Sequence, residues 1–215
     1  WDICCTTTQE NARYMLLSKV GDTGSPLFRF FLWSAFKLNE QQYLWSIWNG
    51  THDASNYDGS RLFLQIESTG VIELGAWNSY IKTNRTFEDT SKFYHLLIAV
   101  DTTQSTASDR MKMYVDGEQI TSFSGSSYFP LNQDTAFAKR KFTIGNTASG
   151  DNAQETFDGY ISEFNAIEGQ ALTPDSFGIT DTSTGRWIPK TVEPHLVFLP
   201  GLVPGQTVWM TVALA

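Results

Sequence analysis

The chain has 215 residues, enough for one large β-sandwich or barrel with a sizeable core. Aromatics at 14% and charged residues at 18% exclude a disordered chain. A net charge of -8, with Lys and Arg scattered singly, excludes nucleic acid as the natural partner and suits a neutral or metal-bridged ligand.

The N-terminal arm, residues 1–26, lacks the charged-then-apolar order of a signal peptide. It starts at Trp1 rather than Met, as a processed product or a segment of a longer chain would. Cys4 and Cys5, the only cysteines, are adjacent and could close only a strained vicinal disulfide, so they read as two ordinary thiols. No apolar stretch approaches the roughly 18 residues of a membrane-crossing helix, and no membrane insertion is expected.

From residue 27 the pattern is short aromatic and β-branched runs separated by Gly, Asn, Asp and Ser. It predicts strands over Phe28–Phe36, Tyr43–Trp48, Arg61–Glu67, Val71–Trp77, Phe93–Asp101, Arg110–Val115, Lys141–Gly145 and Phe157–Ala166. Ser68-Thr69-Gly70 joins the third and fourth as a three-residue hairpin loop, with Gly70 in the left-handed position. Asp116-Gly117 suits a two-residue type I′ turn, which needs positive φ at both central residues. Irregular pieces are expected at Asn49–Ser60, Thr102–Asp109, Ser122–Lys139 and Thr147–Thr156. The strand around Phe164 is entered through Asp158-Gly159, with Tyr160, Ser162 and Phe164 on one face against Ile161 and Glu163 on the other. With no intervening helical period, the class is an antiparallel all-β sandwich over 27–172, followed by a C-terminal extension over 173–215. That extension, punctuated by Pro174, Gly178, Gly185 and Pro189, either wraps on the sandwich or leads away from it. Its last part, Thr191–Ala215, is apolar and suits packing on a neighbouring subunit.

Four pieces in order carry a resemblance: Phe93-Tyr94-His95-Leu96 leading to Val100-Asp101, Met113-Tyr114-Val115-Asp116-Gly117-Glu118, Phe142-Thr143-Ile144-Gly145, and Phe157-Asp158-Gly159-Tyr160-Ile161-Ser162-Glu163-Phe164. From about Phe28 to Lys190 the chain resembles the laminin-G-like, concanavalin A-like lectin/glucanase superfamily of jelly-roll sandwiches. A narrower likeness follows in Ile167-Glu168-Gly169-Gln170-Ala171-Leu172-Thr173-Pro174-Asp175-Ser176-Phe177-Gly178 with Gly185-Arg186-Trp187-Ile188-Pro189-Lys190. This run is similar to a signature of such domains in bacteriophage tail-fibre and other virion proteins. The resemblance implies a structural or adhesive subunit of the virion, a homo-oligomer (a trimer if fibre-like) that meets other virion subunits and host cell-surface polysaccharide.

Retaining glycosidases on this sandwich need two carboxyl groups about 5 Å apart across the scissile bond. Glu67 and Glu73 stand apart on hairpin strands and Glu163 is alone, so a non-enzymatic protein is expected. His52, His95 and His195 are dispersed, and no Gly-x-Ser-x-Gly elbow occurs; His95 reads as a packed or hydrogen-bonded sheet residue. Sugar binding calls for exposed aromatics beside amides and carboxylates. Trp48, Asn49, Asp53, Tyr57 and Asp58 supply these in one loop, and Asn78 with Tyr80 in another. Against this, Trp48 ends an apolar strand and suits the core, leaving Tyr57 and Tyr80 as the better stacking surfaces. The resemblance also implies calcium at the sandwich rim, for which Asp101 and Asp109 in one loop, Asp151 with Asn152 in another, and Asp53 with Asp58 in a third are the candidate oxygen donors; such loop residues are more often turn formers than ligands. Two other roles stay open: a capsid or tail decoration protein that binds no glycan, and a polysaccharide-degrading enzyme.

Overall fold

The computed structural model describes residues 27–38, 40–48, 61–76, 78–133, 135, 141–146, 156–168 and 172–190. Within them lie β1 (Leu27–Phe36), β2 (Gln42–Trp48), β3 (Arg61–Ile66), β4 (Val71–Ala76), β5 (Tyr80–Thr86), β6 (Tyr94–Asp101) and β7 (Met111–Val115). They continue with β8 (Glu118–Ile120), β9 (Phe123–Ser127), β10 (Lys141–Ile144), β11 (Gly159–Glu168), β12 (Gly178–Thr180) and β13 (Trp187–Pro189). Single 3₁₀ turns occur at Ala107–Asp109 and Pro174–Ser176.

One sheet has the order β11-β1-β6-β7-β8, a second β10-β2-β3-β4-β5-β9, and β12-β13 form a hairpin of their own. Every pairing is antiparallel, as expected for the jelly-roll sandwich. Alternation builds the core: Leu62, Leu64 and Ile66 of β3 and Ile72 and Leu74 of β4 meet Tyr94, Leu96, Ile98 and Val100 of β6 and Met111, Met113 and Val115 of β7. β6 is buried on both faces, because Leu97 and Ala99 point away from that core and pack against Phe177. A strand covered twice has no polar face, which is why Leu96 to Val100 reads as a continuous apolar run.

The two expected hairpins form. Gly70 has φ +81 and Gly117 φ +84, with Asp116 at φ +51, so both left-handed turn positions fall where the sequence places them. Between the sheets, buried Gln42 donates to the Lys37 carbonyl at 2.6 Å and accepts from the Asp158 N–H at 2.7 Å. It thereby ties the end of β1 and the approach to β11 to the opposite sheet.

Three expectations need correction. Gly159 opens β11 opposite Phe36, and no positive φ occurs there, so Asp158-Gly159 is extended chain rather than a turn. Along β11 the register passes from Phe31↔Asn165 to Trp33↔Ser162, one residue more on β11 than on β1. This bulge resets the alternation and lets Ile161 and Phe164 both enter the core, while Tyr160 stays 66% exposed. The expected irregular stretch from Ser122 contains β9, and β5 was not anticipated. Their sequences, Tyr-Ile-Lys-Thr-Asn-Arg-Thr and Phe-Ser-Gly-Ser-Ser, are too polar to announce strands, and pairing at the sheet edge holds them. The C-terminal extension, for which two courses were open, takes the first: residues 172–190 lie over the outer face of the five-stranded sheet, where Phe177 and Leu172 cover Leu97 and Ala99.

Candidate functional site

The face of the six-stranded sheet that points away from the core carries a connected set of polar side chains. Since Leu62, Leu64 and Ile66 take the core side, Phe63 and Gln65 take the other. The register aligns Tyr43, Gln65, Glu73 and Lys82 as one cross-strand row over β2, β3, β4 and β5. Ser46, Phe63, Gly75 and Tyr80 form the adjacent row.

These side chains hold one another. Gln41 Nε2 donates to Gln65 Oε1 at 3.2 Å, and Gln65 Nε2 donates to Glu73 Oε2 at 3.0 Å. Lys82 Nζ donates to Glu67 Oε1 at 2.5 Å. Arg61 Nη2 donates to the Tyr43 hydroxyl at 2.7 Å, and its guanidinium lies 4.8 Å over the Phe63 ring. Tyr43 and Phe63 meet edge to face at 5.4 Å. Burial raises the Glu73 pKa above the ordinary carboxylate value, against the opposing pull of Lys82 and the Gln65 hydrogen bond. The Lys82 pKa is raised by its hydrogen bond to Glu67.

Access is graded across the face. Tyr43, Phe63 and Gln65 are buried, Glu73 and Lys82 half-buried, and Tyr80 is 39% exposed. The accessible part of the face thus offers an aromatic ring, a carboxylate and an ammonium over β4 and β5, backed by an amide that orients the carboxylate. Such groups can accept from and donate to hydroxyls, and such a ring can cover an apolar sugar face.

Residues 32–176 match the family model described as the concanavalin A-like lectin/glucanases superfamily. The chain belongs to that superfamily. No curated protein sequence matches this superfamily member. Among solved structures, it is similar to the CBM40 of Ruminococcus gnavus IT-sialidase bound to alpha2,3 sialyllactose, at 17% identity and a TM-score of 0.51 over 71% of this chain and 80% of that one. It is also similar to the native heptameric SAP-like pentraxin of Limulus polyphemus, at 17% identity and a TM-score of 0.49 over 76% of this chain and 74% of that one. Domains LG4-5 of the mouse laminin alpha1 chain match at 12% identity and a TM-score of 0.49, over 80% of this chain and 48% of that one. At 17% identity the likeness to the CBM40 is one of fold.

Of the sugar-binding residues expected from the sequence of this superfamily domain, Trp48 ends β2, with its backbone opposite Arg61, and Asn78 and Tyr80 lie at the turn into β5. Because Arg61 starts β3 and Leu62 pairs with Ala76, these positions share one end of the six-stranded sheet. Asn78 is exposed, and its carbonyl accepts from Ser127 Oγ at 2.9 Å. Asn49, Asp53, Tyr57 and Asp58 lie outside the described residues, as do Asp151 and Asn152 of the calcium set. The other two calcium candidates lie among the described residues and have partners within the chain. Asp101 accepts from the Thr103 N–H and hydroxyl and from Gln104 Nε2, capping its own turn, and Asp109 pairs with Lys112 at 2.9 Å. No group of three or more His, Cys, Asp or Glu side chains is placed to hold a metal ion among the described residues.

Gln65, Glu73 and Lys82 went unnoticed as a site in the sequence. The signal was present in the alternation Phe63, Gln65, Glu67 together with the hairpin at Gly70, which sets Gln65 opposite Glu73. What no alternation announces is that β5 follows and adds Lys82 and Tyr80 to the same face.

Proposed function

We propose that this chain is a non-enzymatic virion protein of a bacteriophage, a tail-fibre or other appendage subunit whose lectin-like domain attaches to host-surface glycans. The observation that carries the binding reading is the row Gln65–Glu73–Lys82 beside Tyr80, a carboxylate and ammonium held in place next to an accessible ring. The superfamily supports it, since its description is that of lectins and glucanases. The virion role rests on the run from Ile167 to Lys190 and its similarity to virion-associated domains. In the particle the chain is a homo-oligomer, a trimer in a fibre, that contacts other virion subunits.

The non-enzymatic reading is supported by the use of the carboxylates: Glu67 is tied to Lys82, and Glu73 is held by Gln65. The deciding experiment measures binding of the purified chain to a panel of bacterial surface polysaccharides, with calcium and with chelator, while assaying released oligosaccharide. Binding without release, weakened about tenfold or more by Glu73→Gln or Tyr80→Ala, is expected, since one charge-assisted hydrogen bond contributes about 1.5–3 kcal/mol. Release that disappears in Glu73→Gln would make Glu73, whose pKa burial raises, a proton donor and the protein a hydrolase. No binding by the folded chain would turn the assignment to a decoration or assembly protein.

A further inference from the structure

On the other side of the sandwich, Trp187 of β13 sits over β6. Its indole N–H donates to Nδ1 of His95 at 3.1 Å, and the two rings lie 6.0 Å apart at 32°. A Cβ at Gly117 would approach the indole to 2.7 Å and one at Gly178 to 2.2 Å. Glycine at both places lets the ring insert between the β7–β8 turn and β12, so it is clamped on two sides and hydrogen-bonded below.

Trp187 lines a cavity of about 280 Å³ together with Lys92, Phe93, Asp116, Thr180 and Arg186. Phe93, 45% exposed, lines the cavity, and next to it stands Tyr160, 66% exposed, with ring centroids 6.5 Å apart and planes inclined at 44°. Exposed rings paired beside a built cavity form an apolar surface that a ligand can cover. The charges are uneven. Asp116 is committed, accepting from the His95 N–H at 2.9 Å and from Lys92 Nζ at 3.2 Å. Lys92 has further N–H donors, and the Arg186 guanidinium forms no hydrogen bond or ion pair with the described residues. Lys92 and Arg186 against Asp116 leave one net positive charge among the lining residues, carried by Arg186, on a chain whose net charge is -8.

We propose that this cavity is a second binding site, for a carboxylated sugar residue: Arg186 takes the carboxylate in its planar fork, Lys92 supports it, and Phe93 with Tyr160 stacks on the pyranose face. The acidic composition points to a neutral or metal-bridged ligand, and this site is the local exception. It lies on the opposite sheet from Glu73 and Tyr80 and does not depend on that face binding anything.

The test titrates the full chain with oligosaccharides containing glucuronate, galacturonate or a nonulosonic acid, each beside its carboxyl-reduced form, and follows affinity by calorimetry. The Trp187 indole signal, assigned by its loss in Trp187→Phe, reports the location by NMR. At least one carboxylated probe should bind and shift that signal, its reduced form should bind about tenfold or more weakly, and Arg186→Gln should cause a similar loss. Tyr160→Ala should weaken both forms, and Glu73→Gln and Tyr80→Ala should leave this binding unchanged. Both site variants are at exposed side chains and should keep the wild-type melting temperature. Equal affinity for charged and reduced probes, absence of binding by every carboxylated probe, or binding that survives Arg186→Gln would overturn the proposal. Loss of binding in Glu73→Gln instead would put the ligand on the six-stranded sheet.

Discussion

The ring of Phe63 occupies the space that a side chain at position 75 would need: a Cβ built on Gly75 falls 2.2 Å from Cζ of Phe63. Opposite one another on β3 and β4, the two residues let an aromatic lie flat on the sheet, where Arg61 and Tyr43 close over it.

Gly75→Ala should therefore destabilise the fold by about 1–3 kcal/mol, the usual cost of overpacking a filled site. Urea unfolding measures it. Because Phe63 must tilt away, the same variant should also disturb Tyr43 and the row that ends in Lys82. A variant as stable as wild type would show that the ring is not confined.

The His95–Trp187 contact gives a pH dependence. Burial lowers the His95 pKa from 6.5 to about 4, with the Asp116 charge opposing the shift. A base whose folded pKa is depressed binds protons more readily when unfolded. Its stabilising contribution is present above pH 6.5 and is lost as pH falls towards 4. On the order of 3 kcal/mol should disappear across that window. Chemical unfolding at stepped pH should show the slope in wild type and a flatter profile in His95→Gln.

Glu73 titrates with the opposite sign. Its raised pKa means that the protonated carboxyl is the better tolerated form, so its contribution is present below pH 4.5 and is lost as pH rises through the folded pKa. Glu73→Gln keeps an acceptor for Gln65 and removes the half-buried charge. Its melting temperature at pH 7 should equal or exceed that of wild type, with the difference closing in acid. A gain in stability together with weaker glycan binding would mark a residue kept for function.

Asp116 combines a left-handed backbone, φ +51, with hydrogen bonds to the His95 N–H and Lys92. Asp116→Ala should cost about 2–4 kcal/mol, from an orphaned buried N–H and a conformation that alanine disfavours. Asp116→Asn, which tolerates that backbone and keeps an acceptor, should recover most of the loss in the same unfolding assay.

The strongly apolar elements and their turns were legible from residue types. Leu62 to Ile66, Tyr94 to Val100 and Met111 to Val115 alternate or run apolar, and Gly70 and Gly117 occupy turn positions that other residues adopt only under strain. β5 and β9 were not legible, since their lysine, asparagine, serine and glycine residues follow no strand propensity and are held by neighbours that already exist. The bulge in β11 was hidden for a related reason: one extra residue changes which side chains face inward without changing the composition of the strand.

By itself, the sequence determined an antiparallel all-β sandwich, its hairpins and its superfamily, because alternation and turn chemistry act between residues close together in the chain. Only the tertiary structure decided which polar residues meet. Gln65, Glu73 and Lys82 become one row through strand register, and Trp187 reaches His95 because the C-terminal hairpin folds back over β6. Both arrangements depend on packing between segments far apart in sequence, where no local period records the partner.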